Sequence, residues 1–429
     1  MAMALRGVHR RATRVGGLGL ARRALSGAMA ARVTRAVVAN DMVEIAFADG
    51  HMAAFHPVWL VDHDPATLHP TSLQRQLDSA TLDPALPVPD AISVQDNGAF
   101  VDLAWTATSG APQNVRFDAD WLRKHSYAPG ARKERSDALC AMRHTWRAAD
   151  LDKNSVTKVS ASAILEDDAA LRRGLEALVE TGVLLVTDMP TTMEATEPIV
   201  RRFGPVRETF YGGIWDTAPK SAEQVNDTAY TKDGLHCHTD TCYLMDSPGL
   251  QLFNCVAQSG VADGLNAEGQ IEGATKLLDG FKLIEDLQVR HPETYEFFAS
   301  NPLKWHCIED GVFVKSWAPV IQFEPGTTVL RQFRYNNYDL APIDYLDADQ
   351  IQPYYRHTKV LNDMLRSDEY ISYVRLNVGE MVVIDNHRVC HGRTAFTGYR
   401  NMVGCYIGRD DWRSKLRSLS GGMPLVNDE

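Results

Sequence analysis

The sequence predicts a mainly β chain with helices, in which a small β-rich N-terminal domain precedes a double-stranded β-helix of the jelly-roll type. Three observations lead there. Strand-like runs in the second part are short, separated by turns and broken by one central helical insertion, a pattern that suits two stacked sheets better than a parallel sheet. Apolar residues alternate with polar ones at Val43-Glu44-Ile45-Ala46-Phe47 and again around Phe100-Val101-Asp102-Leu103-Ala104-Trp105, as in half-buried strands. No GxGxxG follows a strand, and neither a P-loop nor GxSxG is present, so nucleotide-binding and hydrolase folds lack support.

The 429 residues suffice for two domains. Residues 1–36 carry eight arginines and no acidic residue, and no apolar run among them is long enough to cross a bilayer. This composition reads as a mitochondrial-type transit peptide, with a basic tail lacking an address as the alternative. Residues 37–140 form the small β-rich domain, with Asp49-Gly50 as a hairpin turn and a Pro- and Asp-rich connection at 83–90. Residues 141–429 open with a helix whose first turn holds Asp167 and Asp168 and whose apolar face is Leu171, Leu175, Leu178 and Val179; Gly182 stops it. Val183–Val186 follows as a buried strand. Further strands are expected at 250–256, 329–335, 381–385 and 402–407, with helical patterns near 272–286 and 353–366. No internal repeat stands out.

Several function classes are excluded by composition. Without residues 1–36, 36 basic residues face 55 acidic ones, a net charge of −19, and no basic stripe suits nucleic acid. No stretch approaches the roughly 20 apolar residues of a membrane span. The seven cysteines are scattered without CxxC spacing, which argues for a reducing compartment and against a thiolate zinc site.

The chemistry centres on His236-Cys237-His238-Thr239-Asp240. In an extended strand His238 and Asp240 share a face and can reach one ion. The best third ligand is His391, in Asn386-His387-Arg388-Val389-Cys390-His391-Gly392-Arg393. Two histidines and one carboxylate leave three coordination positions open, the requirement of a non-haem Fe(II) oxygenase. His236 would convert the pair into a cupin-like HxH site, and His387, four residues before His391, competes for the last position; both fit better as non-ligands. Arg400, at the entry to the 402–407 strand, is placed to clamp a carboxylate beside the metal.

Five phrases in order, Asp227-Thr228-Ala229-Tyr230-Thr231-Lys232, His238-Thr239-Asp240-Thr241, Arg334-Tyr335-Asn336-Asn337-Tyr338-Asp339, His391-Gly392-Arg393 and Phe396-Thr397-Gly398-Tyr399-Arg400 through Gly404-Cys405-Tyr406, give residues 205–415 a resemblance to the 2-oxoglutarate-dependent dioxygenases of carnitine synthesis. The resemblance implies Fe(II) on His238, Asp240 and His391, 2-oxoglutarate on Arg400, O2 as the other cosubstrate and ascorbate as reductant. It also implies an aromatic cage for a trimethylammonium group from Tyr211, Trp215, Tyr230 and Tyr406, since a permanent cation is recognised by ring faces at about 0.5–2 kcal/mol each. A homodimer in the mitochondrial matrix is implied on the same ground.

Of the family's two substrates, trimethyllysine is favoured over γ-butyrobetaine. The butyrobetaine enzymes resemble this chain but carry a neutral amide at the position of Asp227, whereas an anion there suits an α-ammonium, with Asn336 donating to the α-carboxylate. A non-catalytic binding protein on the same fold is the alternative of a different class. The chain departs from the family in two places. Residues 37–139 hold no cysteine, so the zinc usual in the family's N-terminal domain is not expected, and His387 stands where the family commonly has tryptophan.

Overall fold

The computed structural model describes residues 30–106, 114–218, 230–309 and 311–420. The chain divides into two compact units, Met1–Glu134 and Arg135–Glu429, and the division falls within the helix Pro129–Cys140.

The first unit contains an internal repeat that the hydrophobic pattern alone did not reveal. Strands Val33–Ala39, Met42–Phe47 and Met52–Phe55 form an antiparallel sheet followed by the helix Pro57–Asp62; Ala91–Gln95, Phe100–Ala104 and Asn114–Asp118 form a second, followed by Ala119–Lys124. The first hairpin of each turns through two residues of positive φ, Asn40 and Asp41 (51° and 59°) and Asp96 and Asn97 (49° and 55°), the backbone that tight hairpins require and that Asn and Asp tolerate. Val43, Ile45 and Phe47 in one copy match Val101, Leu103 and Trp105 in the other, all buried. Phe55-x-x-x-Trp59-Leu60-x-x-His63 likewise matches Phe117-x-x-x-Trp121-Leu122-x-x-His125. Between these two blocks the spacing changes, which hides the repeat from a fixed-period search. The equivalent rings stack alike: Phe55 on Trp59 at 5.1 Å, Phe117 on Trp121 at 5.5 Å, and each tryptophan on its histidine at 4.3 Å, with the two tryptophans 5.6 Å apart. Val33, at 4% exposure, starts the first sheet inside the segment assigned to a transit peptide; residues 1–29 of that segment lie outside the described residues.

The second unit combines mixed sheets with helices, consistent with a jelly-roll core. Its larger sheet runs in the order Lys158–Ser160, Val183–Thr187, Met381–Asp385, Leu250–Ser259, Tyr399–Ile407 and Ile214–Asp216, antiparallel except for the first pair. The smaller runs Leu235–His238, Val389–Arg393, Thr275–Asp279 and Ser372–Val374. Strand alternation sorts the core into two layers. Val183, Leu185, Val382 and Ile384 meet Leu277, Val374 and Val389 of the smaller sheet, while Leu184, Val186 and Val383 lie against Leu171, Leu175 and Leu178 of the helix Asp168–Glu180. That helix starts where Asp167 accepts the Ala169 N–H at 2.8 Å and gives way to Gly182 at φ +79°, a left-handed position where glycine carries no Cβ penalty.

Two expectations shift. The helical pattern at 272–286 divides into the buried strand Thr275–Asp279 and the helix Gly280–Arg290, because Asp279 caps the helix through the Phe281 N–H and the residues before it are buried on both faces. The helix expected at 353–366 begins earlier, spanning Ala348–Leu365 with a capping box between Asp347 and Gln350.

Candidate metal centre

His238 and His391 are brought together by strand register. Their Cα atoms are direct partners in the antiparallel pair Leu235–His238 and Val389–Arg393, and their rings lie 4.7 Å apart. Asp240 arrives differently from the expectation of one extended strand. The strand ends at His238, Asp240 sits in the turn beyond it, and Thr241 has φ 55°. Asn386 fixes that turn. Its Oδ1 accepts the Asp240 N–H at 2.8 Å, and its Nδ2 donates to the Asp240 carbonyl at 3.2 Å and the Pro248 carbonyl at 3.1 Å.

Asp240 Oδ1 then lies 3.2 Å from His238 Nε2 and 3.5 Å from His391 Nε2, and ligand atoms from the three residues all lie within 4.8 Å of one another. Among the described residues this is the one cluster of three or more His, Cys, Asp or Glu side chains with such spacing. The His236 carbonyl accepts from His238 Nδ1 at 2.7 Å, which leaves Nε2 as the ring atom facing Asp240. His236 itself is exposed, and its backbone, not its ring, meets this site. His387 is turned away, bonded through Nε2 to the Ser247 carbonyl at 3.0 Å.

The electrostatics suit a cation. Burial opposes charge on Asp240, but His391, His238 and Tyr406 outweigh it and hold the carboxyl below the usual carboxylate range. Burial pushes His391 down to about 4, so its ring is neutral. For His238, burial favours the neutral ring, yet the hydrogen bond and charge of Asp240 raise it on balance.

Arg400 lies at the start of the strand Tyr399–Ile407, and its side chain lines the same cavity of about 420 Å³ as the triad. It is 6% exposed; among the described residues Nε has no partner, and the guanidinium meets Thr275 Oγ1 at 3.4 Å and the Cys255 thiol. Burial depresses its pKa. A buried guanidinium with so few bonds calls for an anion.

Tyr211, Trp215, Tyr230, Asn336 and Tyr406 line this cavity too. The Trp215 and Tyr406 rings are 5.6 Å apart at 51°. Gly404 makes room for the indole, since a Cβ there would stand 2.3 Å from Trp215. Asn336 is partly committed: its Nδ2 donates to Asp339 Oδ2 at 2.9 Å and its Oδ1 accepts the Tyr338 N–H at 2.9 Å, leaving one N–H for a ligand. Asp227 lies outside the described residues. Sequence reasoning missed Gln251, whose amide bonds Asp240 Oδ2, and Glu309, whose Oε1 accepts from Tyr211 Oη at 3.3 Å. Gln251 carried a legible signal, a lone amide in the apolar run Leu250-Gln251-Leu252-Phe253; Glu309 carried none.

Two imidazole nitrogens, one carboxylate oxygen and a buried guanidinium that meets no carboxylate among the described residues fit a mononuclear metal that also binds a carboxylate-bearing cosubstrate. This defines the class as a non-haem oxygenase of the 2-His-1-carboxylate type. Residues 143–406 match the family described as taurine catabolism dioxygenase TauD, TfdA family, and the chain belongs to it. It is an Fe(II)- and 2-oxoglutarate-dependent dioxygenase. The chain is 33% identical over 386 residues to mitochondrial trimethyllysine dioxygenases of Bos taurus and Homo sapiens, covering 89% of this chain and 86% of each relative. It is 28% identical to γ-butyrobetaine dioxygenase of Pseudomonas sp. (strain AK-1), covering 88% of this chain and 93% of that one.

Proposed function

We propose that this enzyme hydroxylates N6,N6,N6-trimethyl-lysine at C3, the first step of carnitine synthesis, with Fe(II) held by His238, Asp240 and His391. The single observation that carries the site is the convergence of the triad, the buried Arg400 and the aromatic residues on one cavity. The substrate rests on likeness to trimethyllysine dioxygenases over 89% of the chain.

Iron with 2-oxoglutarate and O2 supplies the oxidising power that places a hydroxyl on a C–H bond as 2-oxoglutarate becomes succinate and CO2. The protein's part is positional. Arg400 takes the distal carboxylate of 2-oxoglutarate, giving a buried cation that meets only neutral groups a charge-assisted pair. Tyr211, Trp215, Tyr230 and Tyr406 present ring faces to the trimethylammonium group, and Glu309, bonded to Tyr211, adds a negative charge to that wall. The remaining Asn336 N–H and Asp227 receive the amino-acid end. The catalytic core is read as a double-stranded β-helix, and the setting as the mitochondrial matrix, where ascorbate keeps the iron reduced.

The test is succinate release by the purified protein with Fe(II), 2-oxoglutarate and a panel of trimethylammonium compounds. Trimethyllysine is expected to stimulate it most. No stimulation by any member would reject the enzyme reading, and preference for γ-butyrobetaine would move the substrate. Asp227→Asn is expected to weaken trimethyllysine turnover more than that of a butyrobetaine analogue; equal losses would remove Asp227 from the assignment.

A further inference from the structure

The two oxygens of Asp240 have separate surroundings. Oδ1 faces both imidazoles, at 3.2 and 3.5 Å. Oδ2 accepts a hydrogen bond from Tyr406 Oη at 2.8 Å and another from Gln251 Nε2. Both donors come from the larger sheet, where Gln251 and Tyr406 are direct partners on neighbouring antiparallel strands. One rigid ladder position therefore aims two donors at one carboxylate oxygen.

Gln251 is fully buried, and its Oε1 has no partner among the described residues. An amide in such a place is destabilising unless its bonds compensate for lost water, and its side-chain bond to Asp240 supplies that compensation. Tyr406 has a second face. Its ring, 5.6 Å from Trp215, belongs to the wall assigned to the trimethylammonium group.

We propose that Gln251 and Tyr406 are positioning residues that restrict Asp240 to one-oxygen ligation, and that Tyr406 joins this carboxylate to the wall recognising the substrate cation. The proposal rests on the metal and substrate readings above. Its chemical reason is the number of coordination positions. In an octahedral set, two histidines and a one-oxygen aspartate leave three positions, enough for the two donor oxygens of 2-oxoglutarate and for O2. A carboxylate free to rotate and chelate through both oxygens leaves two, and the cosubstrates compete. Engaging Oδ2 with two donors opposes that rotation.

The test is Mn(II) titration of the metal-free protein without cosubstrate, read by water-proton relaxation. Partners that orient a ligand are commonly worth 10–100-fold in metal affinity, so Gln251→Leu and Tyr406→Phe are each expected to weaken Mn(II) binding by about 10-fold. Binding of trimethyllysine to the metal-free protein, measured by calorimetry, is expected to change less than about 2-fold in Tyr406→Phe, which keeps the ring, and to fall in Tyr406→Leu. Wild-type Mn(II) affinity in both Gln251→Leu and Tyr406→Phe would overturn the proposal. So would equal losses of trimethyllysine binding in Tyr406→Phe and Tyr406→Leu, since the hydroxyl would then serve the ligand. Failure of the wild type to bind Mn(II) would instead reject the metal reading, and failure to bind trimethyllysine the substrate reading. Should Gln251→Leu fail to fold, Gln251→Asn, which shortens the reach of the amide, takes its place with the same expectation.

Discussion

His238 and His391, 153 positions apart in sequence, are opposed Cα partners in one antiparallel strand pair, with ring centroids 4.7 Å from each other. The backbone ladder, more than either side chain, sets their spacing. A metal that binds only the folded chain stabilises it by about 2.7 kcal/mol at a concentration 100 times its dissociation constant. Adding Mn(II) is therefore expected to raise the melting temperature of the wild type and leave that of His391→Ala unmoved, while hydroxylation is lost. Retained Mn(II) stabilisation in the variant would exclude His391 as a ligand.

Arg400 offers a fork of donors with few partners. A charge-assisted bond is worth about 1.5–3 kcal/mol, so Arg400→Lys, which keeps charge but loses the fork, is expected to raise KM for 2-oxoglutarate by roughly 10–100-fold. KM for trimethyllysine should change little. Steady-state kinetics with each compound varied in turn separates the two, and an equal rise in both would place Arg400 elsewhere in the mechanism.

Glu309 distinguishes a cation from a shape. Comparing trimethyllysine with its tert-butyl isostere, which has similar bulk and no charge at that end, isolates the electrostatic contribution. Glu309→Gln is expected to reduce kcat/KM for trimethyllysine by about 5–10-fold, a loss of the order of 1 kcal/mol for one partly solvated charge, and to leave the isostere within 2-fold. Parallel losses would show that Glu309 supports Tyr211 and no more.

His387 sets an acid limit on stability. Burial and the nearby Arg409 push its pKa down from 6.5 to about 4. The folded protein keeps the ring neutral while the unfolded chain takes up a proton below 6.5, so unfolding binds protons and stability falls as pH drops from 6.5 towards 4. At 1.36 kcal/mol per unit the full loss is about 3 kcal/mol. Urea unfolding at pH 7.5 and pH 5 is expected to show a smaller acid-induced loss in His387→Gln than in the wild type; an unchanged loss would assign it to other groups.

Much of this site was legible in sequence because its chemistry comes in short phrases. His238 with Asp240, His391 with Gly392, and Arg400 before its strand are each local signals, and their order along the chain supplied the rest. The route by which Asp240 reaches the centre was not legible. Strand periodicity places His238 and Asp240 on one face, whereas the actual device is a turn gripped by Asn386, a long-range contact without local signature. Glu309 was hidden for the same reason, since only the tertiary fold brings it to Tyr211. The division of 272–286 into strand and helix was missed because Thr275–Asp279 is buried throughout, and continuous burial removes the alternation by which strands are recognised.

The duplicated strand–strand–strand–helix order of the N-terminal unit has an experimental consequence. Trp59 and Trp121 occupy equivalent places in the same molecule, each stacked on its own phenylalanine and histidine. Each copy can be compared with the other, the double substitution being needed because the two indoles are 5.6 Å apart and couple. The helix around Trp59 opens with Pro57, whereas the one around Trp121 is capped by Asp118, which accepts the Trp121 N–H at 3.0 Å. Identical substitutions made in turn at the two tryptophans thus compare two ways of starting a helix, with Tyr127, edge-on to Trp59 at 5.6 Å, as an aromatic contact that belongs to the first place.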